Sequence, residues 1–221
     1  MTRPAATWPP IPPGPPDPPF PPRTPDYPQT PWQPVPRPPA PLSPGLSVVV
    51  EGADRLAERL LEQRILVLAG ELDPDAVNRA VAELALLDAD GDEPVRLRLT
   101  GLRADLDGAL TLVDAIDLTG VPVHGTALGT LGGAAVAVLA VCDRREVGAH
   151  AVVRLSEPRA PGHGIGGDVE TVAAEHARQL RRLQERLAEA TGREVGQIAA
   201  DMRAGRVLST QEAREYGLVD R

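Results

Sequence analysis

The chain has 221 residues, a net charge of −8 and two compositionally different parts, because 20 of its 25 prolines lie between Pro4 and Pro44. All 23 basic residues are arginine, which excludes enzymes that need a Schiff-base lysine, a phosphate-loop lysine or a lysine general base. The part beyond residue 45 has 20 arginines against 29 acidic residues and no basic stripe, so we expect no nucleic acid partner.

The single cysteine, Cys142, excludes an internal disulfide and a cysteine-rich zinc site. A single cysteine suits a reducing compartment, so we expect a cytoplasmic location, and we also expect no metal and no cofactor. The N-terminal segment lacks a basic stretch followed by an apolar run, so we expect no secretory signal. Residues 118–142 carry no formal charge, but their five glycines and Pro122 favour buried core over a membrane span, so we expect no membrane partner.

Residues 1–45 are predicted to form a disordered proline-rich tail. Proline fixes φ and lacks an amide donor, so neither helix nor sheet propagates there and a solvated polyproline II ensemble is favoured. One interpretation is a spacer without specific contacts. The other is a ligand for a proline-binding partner, through the segment PWQPVPRPP with Trp32 and Arg37.

Residues 46–221 are predicted to form one domain in which strands and helices alternate. Asp73 followed by Pro74 is typical of a helix start, and the sequence STQE from Ser209 to Glu212 is typical of a capping box. The predicted strands cover about 65–70, 95–99, 121–124 and 151–155. The predicted helices cover about 54–63, 73–90, 107–116, a small-residue stretch ending near 142, 168–190, 195–203 and 209–217. This alternation indicates an α/β class with a largely parallel sheet.

Four segments of this domain carry a family resemblance. HARQLRRLQERLAEATG (176–192) and STQEAREYGLVD (209–220) resemble the long helix and the C-terminal segment of the proteolytic subunit of caseinolytic (Clp) proteases. RILVLAGELDPDAVN (64–78) and GALTLVDAI (108–116) are similar to earlier elements of that family. The resemblance implies a ClpP/crotonase-type superhelical fold of repeated β-α units with a long protruding helix. It also implies seven-membered rings, stacking through that helix, an AAA+ ATPase ring that feeds unfolded chains, and cleavage by a Ser-His-Asp triad.

The family's catalytic positions carry other residues in this chain. The resemblance places Thr130, or Gly129 with a one-residue shift, at the nucleophilic serine, Ser156 at the histidine and Gly205 at the aspartate. Serine is not a general base near neutral pH, and glycine has no side chain. The glycine pair that provides oxyanion-hole amides corresponds to Arg103 and Ala104. These substitutions predict a degenerate, noncatalytic site.

A further departure concerns docking. The family's apolar docking pockets for ATPase loops are lined partly by aromatic residues, whose positions correspond here to Arg96 and Arg98. Two guanidinium groups make a poor apolar pocket, so we expect no direct ATPase docking by the family's mode. The alternative is that these arginines only solvate a strand face or pair with acidic neighbours.

Three functions remain open from the sequence. The leading hypothesis is a noncatalytic subunit or scaffold in a homo- or hetero-oligomeric ring with Clp-type subunits. The second is an active serine-type endopeptidase with a relocated or threonine-based nucleophile, such as Thr130 activated by His124. The third is a crotonase-like acyl-thioester binder. The GHGIGG segment (162–167) is interpreted as a glycine loop rather than a nucleotide site, because prolines separate it from the preceding strand.

Overall fold

The computed structural model describes residues 55–158 and 169–220. The described residues all belong to one compact unit. The predicted proline-rich tail and the glycine loop at 162–167 lie outside the described residues. Within the described residues, no helix combines the length and the apolar character needed to cross a membrane.

In residues 55–158 and 169–220, seven strands form one sheet whose order is β5-β3-β2-β4-β6-β7, with β1 paired to the other edge of β2. All pairings are parallel except that of β6 with β7. The strands are β1 (Ile65–Leu72), β2 (Val95–Ala104), β3 (Val123–Leu128), β4 (Thr130–Gly133), β5 (Arg144–Val147), β6 (Val152–Arg154) and β7 (Val207–Ser209).

The central strand β2 changes its neighbour part way along its length. Residues 95–100 pair with β3, whereas Arg103 and Ala104 pair with Gly132 and Gly133 of β4. Gly101 lies at this change, and its φ of +57° is a conformation that glycine adopts without steric cost. The single sheet is therefore curled, as the resemblance to a superhelical α/β fold implied.

A helix follows β1, β2, β4, β6 and β7, whereas β3 and β5 lead directly into another strand, so the predicted alternation is interrupted at two places. Helix starts are capped by side chains: Asp73 accepts a hydrogen bond from the amide of Ala76 at 2.7 Å, and Asp105 accepts one from the amide of Gly108 at 2.7 Å. The predicted capping box is present at Ser209. The helices are α1 (55–61), α2 (Pro74–Ala89), α3 (Leu106–Leu118), α4 (Ala135–Ala140), α5 (Val169–Thr191), α6 (Val195–Ala204) and α7 (Thr210–Tyr216).

The main correction concerns the glycine-rich stretch before residue 142. The predicted strand at 121–124 extends to Leu128, and an additional short strand, β4, precedes a helix of only six residues, α4. Gly129 and Gly133, with φ of +69° and +65°, produce the bends that separate these elements. The short strands β5 and β7 were also not predicted, because neither is long enough to show a period.

The core is aliphatic, as the composition required. α4 is buried along its whole length between the sheet and its neighbouring helices. Tyr216 is the only aromatic ring beyond Trp32 in the sequence, and it is 2% exposed. The free thiol of Cys142 is buried, and burial is the main cause that raises its pKa to about 12.

Candidate functional site

The positions that the resemblance assigns to catalysis lie on adjoining backbone segments. β4 begins at Thr130 and lies between β2 and β6, so Thr130 pairs with Val152 while Gly132 pairs with both Arg103 and Arg154. The parallel strands β2, β4 and β6 end at the same edge of the sheet, which is where sites form in open α/β sheets. The nucleophile position and the oxyanion-loop positions are thus neighbours.

Ser156 joins this group through the segment that follows β6. The amide of Leu155 donates to the carbonyl of Arg206 at 2.8 Å, and the amide of Glu157 donates to that of Met202 at 3.2 Å. These bonds hold the half-buried Ser156 beside the turn between α6 and β7. A Cβ added to Gly133 would lie 3.9 Å from the Ser156 hydroxyl oxygen, so Ser156 faces the end of β4.

Gly205 occupies that turn as the C-cap of α6. Its φ of +68° and ψ of +40° are left-handed, and its amide donates to the carbonyl of Met202 at 3.1 Å. No heavy atom lies within 4 Å of a Cβ added at Gly205, so a side chain would have space there. Glycine is favoured at this position by the left-handed backbone conformation and not by crowding. An aspartate here would have room but would adopt a left-handed conformation that costs about 1 kcal/mol.

Asp201, the nearest carboxylate in sequence to Gly205, is engaged elsewhere. It accepts a hydrogen bond from the Tyr216 hydroxyl at 2.7 Å and two from Arg206 Nη1 at 3.2 and 3.3 Å. The guanidinium of Arg193 stacks 3.9 Å from the centroid of the Tyr216 ring. Burial and the bond to Asp201 raise the pKa of the tyrosine above its ordinary range. Both carboxylate oxygens thus belong to a packing contact rather than to a general base.

In the described part of the chain, Thr130 and Ser156 have no side-chain partner that would activate them. Within residues 55–158 and 169–220, no hydrogen bond joins either hydroxyl to another side chain. Thr130 is exposed, and a Cβ added to the preceding Gly129 would lie 3.8 Å from the amide nitrogen of Gly101. The described part of the chain also contains no cluster of three histidine, cysteine or acidic residues that could bind a metal ion.

His124, the base that the sequence suggested for Thr130, lies on a different surface. It pairs with Arg96 on one side and with Arg144 on the other, in a row across β2, β3 and β5. This row and the neighbouring row of Arg98, Thr126 and Glu146 form a surface that we call the arginine face. The arginine face surrounds a cavity of about 260 Å³, and Thr130 does not line that cavity. The side chains of the arginine face are those of Arg96, Arg98, His124, Thr126, Arg144 and Glu146.

The sequence analysis singled out Arg96 and Arg98, and His124 in a different role, but missed Thr126, Arg144 and Glu146. Arg144 and Glu146 alternate in a segment of only four residues, which is too short to predict a strand. Arg144 Nε donates to Glu146 Oε1 at 3.0 Å, and Nη2 of the same ion pair lies 2.7 Å from that oxygen. Only the register of β5 against β3 places this ion pair beside the arginines of β2.

These features define a curled, mostly parallel α/β protein with a glycine-rich candidate site where β2, β4 and β6 end. Comparison with known proteins agrees with this class. The sequence model of the Clp protease family matches residues 50–221. The chain therefore belongs to the Clp protease family.

Three relatives illustrate the range of the similarity. A putative ATP-dependent Clp protease proteolytic subunit-like protein of Streptomyces coelicolor is 33% identical over 168 residues, covering 74% of this chain and 80% of the relative. ATP-dependent Clp protease proteolytic subunit 3 of Rhodococcus jostii is 35% identical over 176 residues, covering 76% and 85%. Subunit 1 of Thermobifida fusca is 27% identical over 166 residues, covering 73% and 75%.

Proposed function

We propose that this chain is a noncatalytic member of the Clp protease family, acting as a subunit or scaffold in a ring assembly with Clp-type subunits. The observation that carries the proposal is the turn at Gly205. A glycine cap stands beside Ser156 where the resemblance requires an aspartate beside a histidine, and the neighbouring Asp201 is held by Tyr216 and Arg206.

The chemistry of the remaining positions supports the same conclusion. Without an adjacent base the hydroxyl of Thr130 is a weak nucleophile, and its β-methyl group restricts approach. Ser156 does not accept a proton near neutral pH. Loss of triad members costs on the order of 10⁴ to 10⁶ in rate, and the oxyanion-loop positions Arg103 and Ala104 also depart from the glycine pair.

Peptide hydrolysis tests the absence of catalysis. We expect the purified full-length chain to cleave fluorogenic peptides no faster than its Thr130→Ala variant, because no base contacts Thr130 in the described residues. Turnover that Thr130→Ala abolishes would instead establish the threonine-based peptidase. Turnover that survives Thr130→Ala but is inhibited by a serine-reactive phosphonate would establish a relocated nucleophile.

Restoring the triad provides a matched positive control. The variant Thr130→Ser/Ser156→His/Gly205→Asp places the three family residues on the adjoining segments described above. We expect detectable hydrolysis from this variant and none from the version that keeps Gly205, since the imidazole then lacks its orienting carboxylate. If the restored variant is folded but inactive, and remains so after Arg103→Gly/Ala104→Gly is added, the positions assigned by the resemblance are wrong.

The long helix α5 supports the assembly part of the proposal. Its 23 residues extend about 35 Å, but full burial within the described chain begins only at Leu183. Towards its start, Val172, His176 and Leu180 form a half-buried stripe at helical spacing. Such a stripe is typical of a helix that is covered by another subunit.

Native mass tests this assembly directly. We expect a multi-subunit mass for the chain alone or when coexpressed with an active Clp proteolytic subunit. Arg178→Glu/Leu180→Glu, placed on and beside the half-buried stripe of α5, should reduce that mass, whereas Arg214→Glu on α7 should not. A monomer under both expression conditions would contradict the assembly, whatever the result of the peptidase assay.

The proposal extends to two partners and to location. ATPase loops should not bind through an apolar pocket at Arg96 and Arg98. This prediction would be contradicted if the wild-type chain captured a Clp ATPase as strongly as the Arg96→Tyr/Arg98→Tyr variant does.

Residues 1–45 would supply proline-rich arms. A ring presents several copies of these arms, which strengthens weak binding to a proline-binding groove. We place the protein in the cytoplasm, since its only cysteine is unpaired.

A further inference from the structure

The arginine face is built by strand register rather than by local sequence. One row across the sheet contains Arg96, His124 and Arg144, and the next row contains Arg98, Thr126 and Glu146. Paired residues of parallel strands point to the same side of a sheet, so all six side chains project from one surface. A second cavity of about 440 Å³ adjoins the first and shares Arg96 and His124 with it.

The charges on this face are unbalanced. Arg144 is neutralised by Glu146, but Arg96 and Arg98 are exposed and form no ion pair with any described residue. They lie two residues apart on β2, which places their Cβ atoms about 7 Å apart on one surface. Like charges at this spacing repel each other, and the repulsion is unexplained in a chain of net charge −8. An anionic partner would offset it.

We propose that the arginine face binds an acidic peptide segment of a partner protein, with carboxylates paired to Arg96 and Arg98. The guanidinium group presents two parallel donors that match the two oxygens of a carboxylate. Alternate residues of an extended peptide are also about 7 Å apart, so every second side chain of a strand-like segment meets one arginine of β2.

The borders of the face select a peptide over a larger polyanion. Glu146 lines the first cavity, and Glu62 and Glu93 line the adjoining cavity. A nucleic acid needs a continuous series of cations along its phosphates, which these carboxylates interrupt.

Fluorescence anisotropy with the full-length chain tests the proposal. The probe is a fluorescein-labelled peptide of alternating glycine and glutamate, compared with the same peptide carrying glutamine in place of glutamate. We expect binding only of the glutamate peptide, with affinity that falls as the salt concentration rises from about 50 mM to about 500 mM. Arg96→Gln/Arg98→Gln should weaken binding about tenfold or more, and Arg96→Lys/Arg98→Lys should give a smaller loss because the charge remains.

The matched control removes the same charge elsewhere. Arg79→Gln/Arg214→Gln also deletes two exposed arginines, so its net charge equals that of Arg96→Gln/Arg98→Gln, and it should bind the glutamate peptide as the wild type does. Equal weakening by both double variants would overturn the proposal, because net charge alone would then control binding. Equal affinity for the glutamine peptide, tighter binding of a phosphopeptide or of single-stranded DNA, or no binding at all would overturn it as well. These outcomes do not depend on whether the chain assembles or hydrolyses peptides.

Discussion

Removal of the Tyr216 hydroxyl tests whether the contact next to Gly205 is a structural one. Tyr216→Phe retains the buried ring and its stacking on Arg193, and it deletes only the hydrogen bond to Asp201 Oδ2. The carboxylate of Asp201 is 18% exposed and keeps its contact with Arg206, so it is not left without a partner. The substitution therefore isolates one charge-assisted hydrogen bond.

The expected cost follows from that geometry. Hydrogen bonds to charged groups contribute about 1.5–3 kcal/mol, and the remaining contact with Arg206 places this one near the lower limit, at about 1.5–2 kcal/mol. For a domain of this size the midpoint of thermal unfolding should fall by about 3–8 °C. Tyr216→Leu should cost at least about 1 kcal/mol more, because it also removes the ring and the stacked guanidinium contact.

Urea unfolding followed by circular dichroism measures both variants. All samples need one protein concentration, since assembly shifts apparent stability by mass action. Because the folded state raises the pKa of Tyr216, its contribution is fully present below about pH 10 and is lost as pH rises further. Tyr216→Phe should reduce that alkaline loss. A variant within about 0.3 kcal/mol of wild type at neutral pH would refute a structural role for the Tyr216–Asp201 bond.

Three further predictions concern the packing around β3 and β5. Gly125→Ala should destabilise the fold by about 1–3 kcal/mol in urea unfolding, because the added Cβ would lie 2.7 Å from the Cys142 sulfur and 2.9 Å from Leu139 Cδ1. The Cys142 thiol, buried and with its pKa raised to about 12, should resist iodoacetamide in the native state and react once urea unfolds the chain, as mass spectrometry would show. Burial alone would raise the pKa of Asp220, but hydrogen bonds and charge from Arg145 lower it. The pair therefore stabilises the fold fully above about pH 4, and this stabilisation decreases as the pH falls below that value. Asp220→Asn should therefore cost about 0.5–1.5 kcal/mol at pH 7, a range reduced for the partial exposure of the pair, and show a smaller acid-induced loss in unfolding curves recorded from pH 7 to about pH 3.

The class of fold was predictable because it depends on local periodicity. The alternation of Val95, Leu97 and Leu99 with two arginines predicted β2, and its burial pattern confirms the buried and exposed faces. The caps at Asp73 and Ser209 were equally local and are confirmed. By contrast, β4 has four residues, two of them glycine, and no period. It exists because β2 and β6 offer backbone partners on both sides, which is tertiary information.

The distinction between local and tertiary information also explains which features of the candidate site could be predicted. The resemblance identified the residues at each position, but the sequence alone did not indicate that the hydroxyl of Ser156 faces Gly133 or that Asp201 is held by Tyr216. His124 shows the converse case. It lies six residues before Thr130 in the chain, which suggested a catalytic pair, yet strand register places it between Arg96 and Arg144.

Both candidate regions use β2, but they use different parts of it. Arg96 and Arg98 lie where β2 pairs with β3, and Arg103 and Ala104 lie where it pairs with β4. Because β2 has different neighbours, β3 and β4, along these two parts, we expect a substitution on one surface to leave the other unchanged. Arg96→Gln/Arg98→Gln should therefore leave hydrolysis by the restored-triad variant unchanged, and restoring the triad should leave binding of the glutamate peptide unchanged. If either substitution alters both properties, the bend at Gly101 couples the surfaces, and peptide capture at the arginine face would then influence the region where β2, β4 and β6 end.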